Sequence, residues 1–251
     1  MGHLRLGDLP RTRKWDQVVA LIDGGAGTAQ VAHATITAAE AGLANAGQDA
    51  GLVEAVWLLT QIPLAAKSED YPLSLRQAGL DVQGAPTLLE LVGAFTDAVD
   101  ARLGRNGGRT DLGEMAQMAA VETLSGVLGG RTTTLFETTP ADVQREAGAL
   151  ATSQKFSDLS RQIFARLTER YLDYFLSRSL NLQVGDDRRF ATLAQQADFS
   201  RALGTHCKEA SRIVEKFSGA WLSKTVHEKK NISREDAAGF AHYAMQKLAA
   251  E

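Results

Sequence analysis

Residues 156–180 read FSDLSRQIFARLTERYLDYFLSRSL, and this segment carries the clearest structural pattern in the chain. Its apolar residues recur every three or four positions, the spacing that places side chains on one face of an α-helix. The residues of this stripe are Phe156, Leu159, Ile163, Phe164, Leu167, Tyr171, Tyr174 and Phe175. The pattern predicts one long helix with a single buried face.

A second apolar pattern with helical spacing spans 193–226, after a short turn. Gly204 and Gly219 lie within it, and we expect them to kink the helix because sharp bends concentrate at residues such as glycine. Ser233, followed by an acidic residue three positions later, marks the start of a last, shorter helix. Two long helices joined by a short turn predict an antiparallel hairpin, with the last helix folded against it.

The composition extends the helical prediction to the whole chain. Of the 251 residues, 44% are hydrophobic, 6% are aromatic and 5 are proline. Alanine is abundant and runs of β-branched residues are few, which favours helices over strands. We therefore expect an all-α, irregular multi-helix bundle of about eight helices. Pro63 should end or kink the third of them.

The charge distribution leaves two interpretations of the domain organisation. Residues 1–150 hold 11 Lys/Arg and 18 Asp/Glu, whereas residues 151–251 hold 16 and 12, for a net charge of −3. The chain is either a single helical domain over 1–251, or an acidic subdomain 1–130 followed by a mildly basic bundle 138–251. The asymmetry predicts that the two halves have different partners or contact each other.

Several classes of protein are disfavoured by what the sequence lacks. Cys207 is the sole cysteine, so we expect no internal disulfide and no multi-cysteine zinc site, and a buried thiol at that position. The histidines form no HExxH pair, and the glycine-rich segment 23–28 lacks the lysine of a phosphate-binding loop. We therefore expect neither a metal nor a cofactor. The first residues resemble no signal peptide and no segment suits a membrane span, which predicts a cytoplasmic protein.

Basic residues of the C-terminal third are the candidate partner-binding residues. Four of them follow one another at spacings of seven, four and four, which places them on roughly one helix face. A fifth lies further along the same pattern, and two arginines follow two aspartates in the turn before it. These seven are Arg201, Lys208, Arg212, Lys216, Lys224, Arg188 and Arg189. The competing interpretation is an ordinary solvated face and a self-neutralised turn.

Three functions from different classes remain open on the sequence. The first is a non-enzymatic subunit or adaptor of a cytoplasmic multiprotein assembly, acting through protein–protein contacts at this basic face. The second is an accessory protein that contacts nucleic acid through the basic face of 193–226. The third is a helical enzyme whose carboxylates converge from different helices.

Overall fold

A computed structural model of the protein describes residues 12–39, 46–105, 107–129 and 139–251. Within these ranges the chain is helical, apart from loops and one isolated β-bridge between Val184 and Phe190. The helices are α1 (Arg13–Asp23), α2 (Thr28–Ala38), α3 (Ala50–Ala65), α4 (Tyr71–Gln77), α5 (Leu88–Arg105), α6 (Asp111–Gly129), α7 (Pro140–Ala149), α8 (Ser153–Asn181), α9 (Leu193–Ala210), α10 (Arg212–Lys229) and α11 (Arg234–Ala249), with a 3-10 turn at Ala46–Gln48. The predicted all-α, multi-helix bundle is confirmed.

Short polar side chains start many of these helices by accepting hydrogen bonds from the first free backbone amides. Asp49 accepts from the amide of Leu52 at 2.8 Å, before α3. At the start of α11, Ser233 and Asp236 bond each other's backbone amides in a capping box, as the sequence predicts.

Helix α3 is the most apolar helix and lies in the core. It packs against α4, α5, α6, α7 and α11, so it joins elements from both ends of the chain. Its residues Leu58 and Ile62 are fully buried. Pro63 was expected to end or kink this helix, and α3 ends two residues beyond it, at Ala65. A proline near the last turn removes one amide and leaves the remaining backbone bonds intact.

The buried apolar residues from Trp15 to Leu248 form one hydrophobic cluster. The segment 130–138, where the two possible subdomains 1–130 and 138–251 would meet, lies outside the described residues. No helix in the described part of the chain is both long enough and apolar enough to cross a membrane.

The C-terminal part contains the predicted pair of long helical segments, here called arms, but the second arm consists of two helices. The first arm is α8, and the second is divided at Ser211 into α9 and α10, which both pack along α8. Ser211 is buried, and its hydroxyl donates to the Lys208 carbonyl at 2.9 Å. The second arm is interrupted at Ser211, whereas Gly204 and Gly219, where kinks were expected, lie inside α9 and α10. A Cβ on Gly219 would collide with the Ser153 carbonyl oxygen of α8, so its missing side chain lets these helices approach closely, and a Cβ on Gly204 would meet the flexible Glu169 side chain.

Candidate functional site

A groove runs along one face of α8, with α6 on one side and α9 and α10 on the other. Both α6 and α9 pack against α8, which forms the floor between them. The groove consists of three adjoining cavities of about 540, 550 and 300 Å³. Arg161 lines both the first and the second cavity, and Arg166 lines both the second and the third. Neighbouring cavities thus share one lining arginine, and the three together are called the groove.

The central cavity combines an apolar floor with a basic rim. Leu150, Leu159 and Ala165 form the floor and are themselves buried. The charged residues that line this cavity are Lys155, Asp158, Arg161, Arg166 and Lys208. Four cations against one carboxylate give the cavity a positive potential, which focuses anions into a confined space.

Two of the four cations are already paired and two are not. Arg161 bonds Glu215 at 3.0 Å, and the Arg166 guanidinium lies 3.6 Å from a Glu122 carboxylate oxygen. Among the described residues, Lys155 and Lys208 form no ion pair. These two lysines, which line the cavity together with Asp158, are therefore the cations most available to an anionic ligand.

The basic character continues into the cavity at the α10 end. Arg212 and Lys216 line it, with Ser157 and Gln154 of the α8 N-terminal turn. Arg212 pairs with Glu209 at 3.1 Å on its own side of the bend, and both side chains are exposed. Such an exposed pair is weak, so Arg212 remains available to a stronger partner.

The cavity at the opposite end is acidic. Glu122, Glu169 and Asp173 line it together with Arg166 and Arg170. Arg170 donates to Glu122, which therefore has both arginines as partners. In the described ranges Glu169 and Asp173 form no ion pair, and no group of three or more His, Cys, Asp or Glu residues is arranged to hold a metal ion.

The structure brings only part of the predicted set together. Lys208, Arg212 and Lys216 line the groove, as their spacing suggested. Arg201 lies outside the three cavities and pairs with Asp198 one turn earlier. Lys224 is exposed further along α10, also outside the groove.

The two arginines of the turn before α9 have different environments. Arg188 is exposed. Arg189 donates to the carbonyl oxygens of Ile22, at 2.9 Å, and of Ala26, and its guanidinium lies 4.4 Å from the centre of the Phe199 ring. These contacts fix the turn against the end of α1. The guanidinium of Arg189 is thus committed within the chain and is a poor candidate for binding a partner.

Sequence reasoning missed the basic residues that α8 contributes, namely Lys155, Arg161 and Arg166. The apolar stripe of α8 was recognised, but Lys155, Arg161 and Arg166 were not grouped with the basic residues of the second arm. A signal was available in the sequence. These residues lie outside the apolar stripe of α8, and α8 is the helix against which the basic second arm was expected to pack.

Cys207 is buried, as predicted, and burial raises the pKa of its thiol to about 12. A neutral, inaccessible thiol is a poor nucleophile. The cysteine therefore belongs to the packing between helices and not to a reactive site.

Comparisons of this chain with protein-family models, with curated proteins and with solved structures found no match. The functional assignment accordingly depends on the geometry and charge of the groove.

Proposed function

We propose that this protein is a non-enzymatic subunit or adaptor of a cytoplasmic multiprotein assembly, and that it holds an acidic segment of a partner protein in the α8 groove. The observation that carries this proposal is the presence of two lysines without ion-pair partners among the described residues, Lys155 and Lys208, in the lining of the central cavity. Carboxylates of a partner would pair with these lysines, while its apolar side chains would contact the partly exposed Val127. Peptide-binding grooves combine charge and apolar contact in this way.

The lining of the groove favours a protein over a nucleic acid. Proteins that bind single strands stack bases on aromatic rings, and no aromatic residue lines the three cavities formed by the described residues. A nucleic acid would also meet carboxylates at the Asp173 end of the groove. Contact with nucleic acid remains the second candidate, because Lys208, Arg212 and Lys216 share one basic rim.

The test is purification of the tagged protein from its host, with and without nuclease, for the wild type and two charge-reversal variants. The groove variant is Lys155→Glu with Lys208→Glu. The control variant is Arg201→Glu with Lys224→Glu, which makes the same charge change outside the groove. We expect a stoichiometric protein partner that survives nuclease, is lost from the groove variant and is kept by the control.

Two results would contradict the proposal. Retention of the partner by the groove variant, with circular dichroism showing that it folds, would remove the groove from the interaction. Loss of all partners on nuclease treatment, with binding that falls steeply as salt rises, would transfer the assignment to nucleic acid.

A further inference from the structure

The two ends of the groove carry unpaired charges of opposite sign. The basic end comprises the central cavity and the cavity at α10, where Lys155, Lys208 and Lys216 form no ion pair with the described residues. At the other end, Glu169 and Asp173 line the cavity and likewise form no ion pair there. The Glu169 carboxylate rests against Gly204 of α9, whose missing side chain leaves room for it. Each end therefore has charge that a ligand could neutralise, and the two ends require opposite ligands.

A cluster of paired charges lies where the central cavity meets the acidic cavity. Glu122 of α6 is bonded by Arg170 and lies 3.6 Å from Arg166, so one carboxylate and two guanidinium groups hold one another. Arg166 is the residue that the central and acidic cavities share. This cluster occupies the junction, and its charges are largely committed to internal pairs. The unpaired lysines lie on one side of it along the groove, whereas Glu169 lies between Arg166 and Arg170 on α8, and Asp173 follows one turn later.

Two carboxylates interrupt this polarity, since Asp158 lines the basic central cavity and Glu215, the partner of Arg161, lines the cavity at the α10 end. Asp158 lies among Lys155, Arg161, Arg166 and Lys208, so the sum of charges in the central cavity stays positive. The acidic cavity, with Glu122, Glu169 and Asp173 against two arginines, has the opposite sum. The groove is thus dipolar along α8.

We infer that the groove selects a partner segment by the order of its charges: acidic side chains opposite Lys155 and Lys208, and a basic side chain opposite Glu169 and Asp173. The inference rests on the proposed function and defines the partner class more narrowly. Lys155 and Asp173 are separated along α8 by roughly 27 Å at the helical rise per residue. An extended segment of about eight residues, or a helix of about eighteen, covers that length.

The physical reason for selectivity is the cost of placing like charges together. A uniformly acidic segment would gain at the lysine end but would bring its last carboxylates beside Glu169 and Asp173. A segment with a basic residue at that end gains at both. Complementary and conflicting charges of this kind set the specificity of interfaces more than their overall affinity.

The experiment measures fluorescence anisotropy of three labelled synthetic peptides, each of about eighteen residues, with the full-length protein. The first has glutamates in one half and lysines in the other. The second has the same composition with the charges interleaved, and the third is glutamate throughout its charged positions. We expect the wild type to bind the first peptide about tenfold more tightly than either of the others, a difference of about 1.4 kcal/mol.

Variants separate this inference from the proposed function. Asp173→Lys, at an exposed position, should remove the preference for the first peptide over the all-acidic one, whereas Asp186→Lys, outside the groove, should preserve it. The double variant Lys155→Glu with Lys208→Glu should bind both the first peptide and the all-acidic peptide more weakly.

If the all-acidic peptide binds as tightly as the first, and the double variant Lys155→Glu with Lys208→Glu no longer binds it, the charge-order inference is overturned and the proposed function stands. If no peptide binds, or this double variant binds all three peptides like the wild type, both are overturned.

Discussion

A single carboxylate in the most apolar helix shows how strongly one residue can constrain the packing of this chain. Glu54 is 2% exposed, yet its oxygens accept two hydrogen bonds from Arg234 at 2.6 and 2.7 Å. Arg102 approaches the same carboxylate at 3.7 Å, and the Arg234 guanidinium lies 3.5 Å from the centre of a ring of Trp57. A buried charge needs such partners, because removal from water is costly unless it is compensated. The pair therefore fixes the start of α11 on α3.

Replacing the Glu54 carboxylate should destabilise the fold. We expect Glu54→Gln to lower the free energy of unfolding by about 3 kcal/mol, since it leaves Arg234 without its countercharge. The matched control is Glu209→Gln, which breaks the exposed pair with Arg212 and should cost less than about 1 kcal/mol. Urea denaturation of both variants measures the difference. Equal, small effects would show that the Glu54 pair contributes nothing beyond a surface ion pair.

The thiol of Cys207 gives a second prediction at the same scale. Burial raises its pKa from 9.0 to about 12, so the native thiolate fraction at pH 8 is about a thousandfold below that of an exposed cysteine. We expect a thiol reagent to label the native protein at least that much more slowly than the protein in urea. Because the folded-state pKa is the higher one, the neutral thiol stabilises the fold below pH 9, and this contribution is lost as the pH rises towards 12. Rapid labelling of the native protein at pH 8 would contradict the buried position.

At the scale of helices, the closest approach in the C-terminal pair is made by small residues. The amide of Gly219 in α10 donates to the Ser157 hydroxyl of α8 at 3.1 Å. A Cβ on Gly219 would lie 2.5 Å from that oxygen and nearer still to the Ser153 carbonyl oxygen. Since backbone atoms cannot move aside cheaply, the absence of a side chain at Gly219 sets the separation of these two helices.

This contact predicts opposite effects for the same substitution in two helices. Gly219→Ala should lower the free energy of unfolding by roughly 2–3 kcal/mol, because the added methyl group forces α8 and α10 apart. Gly239→Ala, on α11, meets no atom within 4 Å and should raise it by up to about 1 kcal/mol through better helix propensity. Thermal and urea denaturation of the two variants test the pair. Similar effects of both substitutions would show that the helices do not touch at Gly219.

The elements predictable from sequence are those whose signals are local. Helical spacing located α8, and the Ser233 cap located α11. The division at Ser211 was missed because apolar positions continue across it without interruption. Ser211 at the division is buried and bonds the Lys208 carbonyl, and a single serine of this kind leaves no trace in the apolar periodicity.

The same limit applied to the groove. Spacing grouped Lys208, Arg212 and Lys216, which share one arm, and also grouped Arg201, which lies outside the groove. It did not connect them with Lys155 or Arg166 of α8, because which polar face of one helix meets which face of another is decided by packing. It also assigned Arg189 to partner binding, because the bonds of this residue to the end of α1 span more than 160 positions and leave no local signal.

At the scale of the whole molecule, the acidic and basic halves are joined by specific contacts. Glu54 and Glu122 come from the first half, and each has an arginine partner from the second, Arg234 for Glu54 and Arg166 for Glu122. Hydrogen bonds cross in the same way: the Trp57 indole donates to the Ile232 carbonyl at 2.8 Å, and the Tyr171 hydroxyl donates to the Ala39 carbonyl at 2.9 Å. The charge asymmetry of the sequence thus corresponds, at least at these positions, to contact between the halves.

These contacts predict that the described parts of both halves unfold in one transition. Trp221→Phe leaves Trp15 and Trp57 as reporters of the first half, and the double variant Trp15→Phe with Trp57→Phe leaves Trp221 as the reporter of the second. Within each variant, the urea midpoint from tryptophan fluorescence should equal the midpoint from far-ultraviolet circular dichroism, because a shared core cannot be lost from one side alone. Comparison within a variant removes any effect of the substitutions on stability. Separate midpoints, with the circular dichroism curve showing two steps, would instead identify 1–130 and 138–251 as independent folding units.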